Sequence, residues 1–124
     1  MTAPTLTHHF LIEEKHTAHV LGNEGVFVLG TPFLLLFKEL SSQYLIEQIE
    51  GTGTISVGIS ADFQHLAAVP VGRTLAVSST LTGQDRRKYS FDVVAMDGDT
   101  LVGTGNHERF RVDDLDEFLA KSRK

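Results

Sequence analysis

The sequence predicts an α+β fold in which an antiparallel sheet wraps one long central helix and a short helix follows at the C-terminal end. Three observations carry this. A helix-start signal near residue 31 opens a strongly apolar run, the chain alternates with a period of two from residue 54 onward, and the alternating segments are separated mostly by tight-turn residues.

The helix comes first in importance. In Gly30-Thr31-Pro32-Phe33-Leu34-Leu35-Leu36-Phe37-Lys38-Glu39-Leu40, Thr31 can offer its side-chain oxygen to the free N–H groups of a helix start, and Pro32 suits the first helical position. Residues 33–37 are apolar on every side, so they should be enclosed by protein. Helical spacing puts Phe33, Leu36, Phe37, Leu40 and Tyr44 on one stripe, with Glu39 on a second apolar flank beside Leu35 and Ile46. A carboxylate there is costly unless paired or used. Thr31 and Glu39 share a ridge of the helix, ~12 Å apart along its axis. The helix is expected to last to about Ile49, with Gly51-Thr52-Gly53 ending it.

Ahead of it, His8 to Lys15 reads as a first strand. Thr17 to Leu21 follows, then a turn at Gly22-Asn23-Glu24-Gly25 and a short Val26 to Leu29 run. Beyond the helix, Ile55, Val57, Ile59, Ala61, Phe63 and His65 share one strand face, and Pro70-Val71-Gly72 turns the chain. Leu75, Val77, Ser79 and Leu81 mark the next strand, which is expected to stop at Thr82-Gly83-Gln84-Asp85-Arg86. Lys88, Ser90 and Asp92 then alternate with Tyr89, Phe91, Val93 and Ala95. Asp97-Gly98 is a hairpin signal. The last strand, Leu101 to Val112, carries Gly103 and Gly105 on one face, leaving room for another backbone, with the central helix as the obvious candidate. Residues 113–121 read as a short helix with acids first and a base last, striped by Leu115, Phe118 and Leu119.

One strand, a buried helix and four strands joined by tight turns make the pattern of a hot-dog domain, and 124 residues suffice for a single such domain spanning 1–124. Its sheet has open edges, and pairing two copies edge to edge would close one edge of each, so a homodimer is expected. A hydrophobic content of 41% with no long apolar run speaks for a soluble chain, with no membrane partner. The first seven residues lack a signal-peptide pattern, which makes the cytoplasm the expected location. With no cysteine, thiolate nucleophiles, disulfides and Cys-based zinc sites are excluded. A net charge of −5 argues against nucleic-acid binding, so an anionic ligand needs a local basic patch.

Several fragments together resemble the fluoroacetyl-CoA thioesterase-like group of hot-dog proteins over nearly the whole chain. They are Gly30-Thr31-Pro32-Phe33 with Glu39, Gly58, the run from His65 to Gly72, and Gly103-Thr104-Gly105-Asn106-His107-Glu108-Arg109-Phe110. The resemblance implies hydrolysis of a small acyl-CoA thioester, without a metal or a resident cofactor, CoA being part of the substrate. It also implies an active site of Thr31, Glu39 and His65, with the Gly58 backbone N–H and Arg109 beside the thioester. It does not extend to fluoroacetyl specificity: in Gly22 to Phe27 only Phe27 can stand for the family's lid phenylalanine.

The residue types suit that chemistry. Thioester hydrolysis needs a nucleophile or activated water, a base, and donors for the oxyanion. Glu39 can attack or serve as general base, His65 can handle protons, and Thr31 with the Gly58 N–H can polarise the carbonyl. Arg86, Arg87 and Lys88 form the densest positive cluster, which can meet CoA phosphates or simply be an exposed hairpin end. Each site residue also has a plainer reading: Thr31 as helix cap, Glu39 paired or turned outward, His65 as a hydrogen-bonded core histidine, Gly58 as a bulge, Arg109 as half of an ion pair. His8, His9, His16, His19 and His107 complete no metal-binding spacing and read as solvated side chains. Two other functions stay open, a non-catalytic acyl-CoA-binding module and a hot-dog hydratase or dehydratase.

Overall fold

The computed structural model describes residues 3–122. Its elements are β1 (Thr5–Leu11), α1 (Thr31–Glu50), β2 (Ile55–His65), β3 (Thr74–Asp85), β4 (Lys88–Asp97), β5 (Thr100–Val112) and α2 (Leu115–Lys121), with two short 3-10 turns between β1 and α1. The strands form one antiparallel sheet in the order β1-β3-β4-β5-β2, and α1 packs across one face of it. This is the sheet-around-helix architecture expected from the sequence. Among the described residues no helix is long and apolar enough to cross a membrane.

The inward positions of β3 and β4 fall where the period of two puts them: Leu75, Val77 and Ser79, and Tyr89, Phe91, Val93 and Ala95, are all buried. With Leu34, Phe37, Leu45 and Ile46 of α1 they form the core. The helix ends at Gly51, whose φ of 118° is open only to glycine-like conformations. Asp114 caps α2 by accepting the Glu117 N–H at 3.0 Å, with acids in its first turn and Lys121 in its last.

Four expectations are corrected. The first strand runs from Thr5 to Leu11 rather than His8 to Lys15, because the Glu13 N–H donates to His16 Nδ1 at 3.0 Å and draws the chain into a 3-10 turn. The β3 strand continues through a bulge after Leu81 to Asp85, and the turn falls at Arg86, which has a φ of 57°. The buried face of α1 is Leu34, Phe37, Lys38, Ser41, Ser42, Leu45 and Ile46, while Leu36 is 43% exposed. A segment apolar all round gives no rotational signal. Its orientation follows the sheet instead, as in the buried Ser42–Ser79 hydroxyl pair at 2.9 Å. Finally, the register of β2 against β5 shifts between Gly58 and Ser60. The bulge puts Gly58 on the same, helix-facing side as Phe63 and His65, so one alternation does not run the length of the strand.

The glycines of β5 are likewise only partly as expected. A Cβ at Gly103 would fall 3.1 Å from Leu34 Cδ2 on α1 but 2.8 Å from the Gln64 carbonyl of β2, and one at Gly105 would collide with Asp62 and Phe63. The close approach is chiefly that of the neighbouring strand.

Candidate active site

Thr31 is not the helix cap. Gly30 holds that position with an extended backbone and no capping side chain, and Thr31 is the first helical residue. Gly30 is confined there, since a Cβ would fall 2.7 Å from Leu21 Cδ1 and 3.3 Å from the Ala18 nitrogen. The Thr31 hydroxyl is therefore free of capping and lies 2.9 Å from His65 Nδ1 at the end of β2. Burial, chiefly, lowers the His65 pKa; the nearby Ala67 backbone opposes this and the Lys38 charge adds to it, so the ring is neutral near pH 7. A cleft of about 260 Å³, lined by Val28, Leu29, Thr31, His65 and residues 66–68, opens onto this pair.

Glu39 sits elsewhere. Its Oε1 is 3.6 Å from His107 Nε2 and 3.9 Å from Arg109 Nη1, and it covers Gly58 so closely that a Cβ there would fall 2.5 Å from it. His107 is 3% exposed, and burial followed by the Arg109 charge brings its pKa down to about 4, so Glu39 faces a neutral imidazole. Arg109 is held by Ser56, donating from Nε to Oγ at 2.7 Å and from Nη2 to the carbonyl at 2.9 Å. Ser56 in turn donates to Gln43 Oε1 on α1, tying the edge strand to the helix.

The predicted residues thus form two groups, Thr31 with His65 and Glu39 with Gly58 and Arg109. On β5 their partners are Gly103 for His65 and Arg109 for Gly58. Six residue steps along β5 separate those partners, about 20 Å. One chain does not bring the two groups together. Arg86, Arg87 and Lys88 lie at the β3–β4 hairpin, toward the Glu39 end, where Lys88 and Tyr89 pair with Phe110 and Arg109. Arg87 approaches Asp113 at 3.9 Å and covers the Phe110 ring, and Lys88 meets Glu108 at 3.7 Å.

Two residues at these groups were not singled out from the sequence. His107, read as solvated, is buried beside Glu39; the alternation that placed Gly103 and Gly105 on one face extends to His107 and Arg109 and would have found it. Lys38, next to Glu39, is only 2% exposed. His16 and His19 are also not free in solvent: His16 packs against Phe33 and Phe37, and His19 Nδ1 accepts the Gly25 N–H at 2.9 Å.

The chain matches known proteins along most of its length. Residues 12–114 match the family described as fluoroacetyl-CoA-specific thioesterase. The chain is 31% identical to a fluoroacetyl-CoA thioesterase of Streptantibioticus cattleyicolor, over 95% of this chain and 88% of that one. It is similar to a solved alanine mutant of the fluoroacetyl-CoA-specific thioesterase FlK in complex with fluoroacetate and CoA, at 27% identity and a TM-score of 0.86 over 95% of this chain and 98% of that one. A hot-dog-like protein from Thermanaerovibrio acidaminovorans, at 18% identity and a TM-score of 0.83 over 98% and 91% of the two chains, shares the fold.

Proposed function

The chain belongs to the family of fluoroacetyl-CoA-specific thioesterases, and on that premise we propose that it hydrolyses a small acyl-CoA thioester to the free acid and CoA. The observation that carries the reading is the split of the polar residues between the two ends of an edge strand, Thr31–His65 at one and Glu39–Gly58 at the other. Among the described residues the Thr31–His65 pair has no carboxylate beside it, and the imidazole beside Glu39, His107, is buried with a pKa of about 4 and takes up no proton near pH 7.

A homodimer supplies both. Two copies paired through β2 about a two-fold axis near Ala61 bring Gly58 and Glu39 of one copy beside His65 and Thr31 of the other. Such pairing closes one open edge of each sheet. It also covers Ile59 and Leu66, which are about half exposed in the single chain. In the resulting site Glu39 attacks the thioester carbon or takes a proton from the attacking water. Where Glu39 takes the water's proton, its carboxyl returns that proton to the departing CoA sulfur. Where Glu39 attacks, CoA leaves as thiolate, and the neutral His65 ring, oriented by Thr31, takes a proton from the water that cleaves the acyl–Glu39 anhydride and, as imidazolium, passes it to the thiolate. The Gly58 N–H and the Thr31 hydroxyl stabilise the oxyanion. Arg86, Arg87 and Lys88 serve the CoA phosphates, exchanging Asp113 and Glu108 for phosphate oxygens. The reaction runs on side chains and water, with no resident cofactor, and a cytoplasmic location is part of the same proposal.

Free-thiol release from a panel of short, branched and aromatic acyl-CoA esters tests the reading. Turnover that falls by orders of magnitude in folded Glu39→Gln supports it. Binding without turnover in the wild type would favour the non-catalytic module instead.

A further inference from the structure

Among the described residues, five buried side-chain nitrogen and oxygen atoms lack a hydrogen-bond partner: Lys38 Nζ, Ser41 Oγ, His65 Nε2 and both ring nitrogens of His107. Folded interiors leave few such atoms, and each calls for a physical reason. They lie between α1 and the sheet, His65 at the Thr31 end and His107 beside Glu39, with Lys38 on the His65 side. Lys38 and Ser41 are on the buried face of α1, three residues apart and hence neighbours, and His65 and His107 are on the helix-facing side of the strands beneath.

Lys38 is the costliest of the set. Its ammonium is buried, no carboxylate of the described residues lies within 4.0 Å, and its one favourable contact is the Phe63 ring, 4.8 Å from Nζ to the centroid. A cation–π contact offsets only part of the cost of burying a charge. The amine also sits next to the Thr31–His65 pair. A Cβ at Gly103 would be 3.3 Å from Nζ, and Gly103 is the residue directly opposite His65 across the two strands. Burial brings the Lys38 pKa down to about 8, which still leaves most of it protonated near pH 7. A neutral hydroxyl or carbonyl in this layer would satisfy one donor and leave the charge unbalanced. A carboxylate balances the charge and accepts from Lys38 and Ser41 at once.

We propose that this layer is the acyl subsite and that Lys38 receives the free carboxylate of the acyl group, so that the substrate is the CoA monothioester of a short dicarboxylic acid. The proposal rests on the thioesterase reading and names its substrate class. Lys38 is then the residue that sets specificity, one helical position before the proposed chemical carboxylate of Glu39.

The test compares succinyl-CoA with butyryl-CoA, which match in length and differ in the terminal charge. Wild type should favour succinyl-CoA in kcat/KM by about tenfold or more, the worth of one charge-assisted hydrogen bond. Lys38→Met, which keeps the volume, and Lys38→Gln should each cut that ratio by about as much. A wild-type ratio near one, or a ratio unmoved by both substitutions, overturns the proposal. Should neither ester be hydrolysed, the wider ester panel decides the thioesterase reading, and calorimetric titration with the thioether analogues of the two esters decides the subsite separately. Tighter binding of the carboxylate-ended analogue, lost in Lys38→Met, supports it; equal affinities overturn it.

Discussion

The Thr31 hydroxyl lies 2.9 Å from His65 Nδ1, joining the first residue of the central helix to the last residue of the edge strand. The bond exists because Gly30 takes the cap position and Thr31 starts one residue later. A threonine before a proline is ordinarily a cap, and here it is a side chain aimed at an imidazole.

Thr31→Ala separates those two uses. Loss of the bond to His65 should lower kcat/KM by tenfold or more, about 1 to 2 kcal/mol, with Thr31→Ser retaining most of the activity. Stability should change by less than the ~1 kcal/mol that removing a true cap costs. Urea denaturation beside steady-state kinetics checks both. A stability loss without a kinetic one would return Thr31 to the capping role.

Gly58→Ala tests the other group. The added methyl would fall 2.5 Å from Glu39 Oε1 and 3.4 Å from His107 Nε2, so the carboxylate has to move. We expect a drop in kcat/KM of about a hundredfold, as for loss of one aligned group at an active site. The circular dichroism spectrum should be unchanged, since Gly58 is not among the positive-φ glycines. Unaltered kinetics would show that Glu39 works from another position.

The two buried histidines predict different pH effects. The His65 pKa is lowered, so the neutral ring persists below pH 6.5 and the acid limb of a kcat/KM profile should lie below that value. For His107 the folded value is about 4. As pH falls from 6.5 toward 4 the unfolded chain takes up a proton that the folded chain refuses, so stability falls through that window by about 3 kcal/mol. In His107→Leu the loss should be smaller by that amount, measured as the urea midpoint against pH.

Legibility followed the strength of the period. In β3 and β4 strict alternation of apolar and polar residues identified the buried side correctly, because a sheet with one covered face leaves no other register. The arrangement of one long helix over an antiparallel sheet followed from the same pattern. The orientation of α1 did not, since Phe33 to Phe37 are apolar in every direction while Lys38, Ser41 and Ser42 are buried against their usual preference. The face of β2 was hidden by the bulge after Gly58, which reverses the alternation midway. Thr31, Glu39, Gly58, His65 and Arg109 stood out through a family resemblance. That Thr31 and Glu39 stand ~12 Å apart follows from helical spacing alone, whereas the pairing of His65 with Gly103 and of Gly58 with Arg109, about 20 Å apart along β5, is strand register, which a sequence does not display.

The central claim is that two copies complete one site, and complementation tests it most directly. Glu39→Ala and His65→Ala chains, each inactive as homodimers, are co-expressed with different tags, and the heterodimer is isolated and assayed for thiol release. With Glu39 and His65 supplied by opposite copies, the heterodimer holds one intact site of two and should regain about half the wild-type rate. With both residues acting from one chain no intact site can form, and a heterodimer as inactive as its parents would contradict the account.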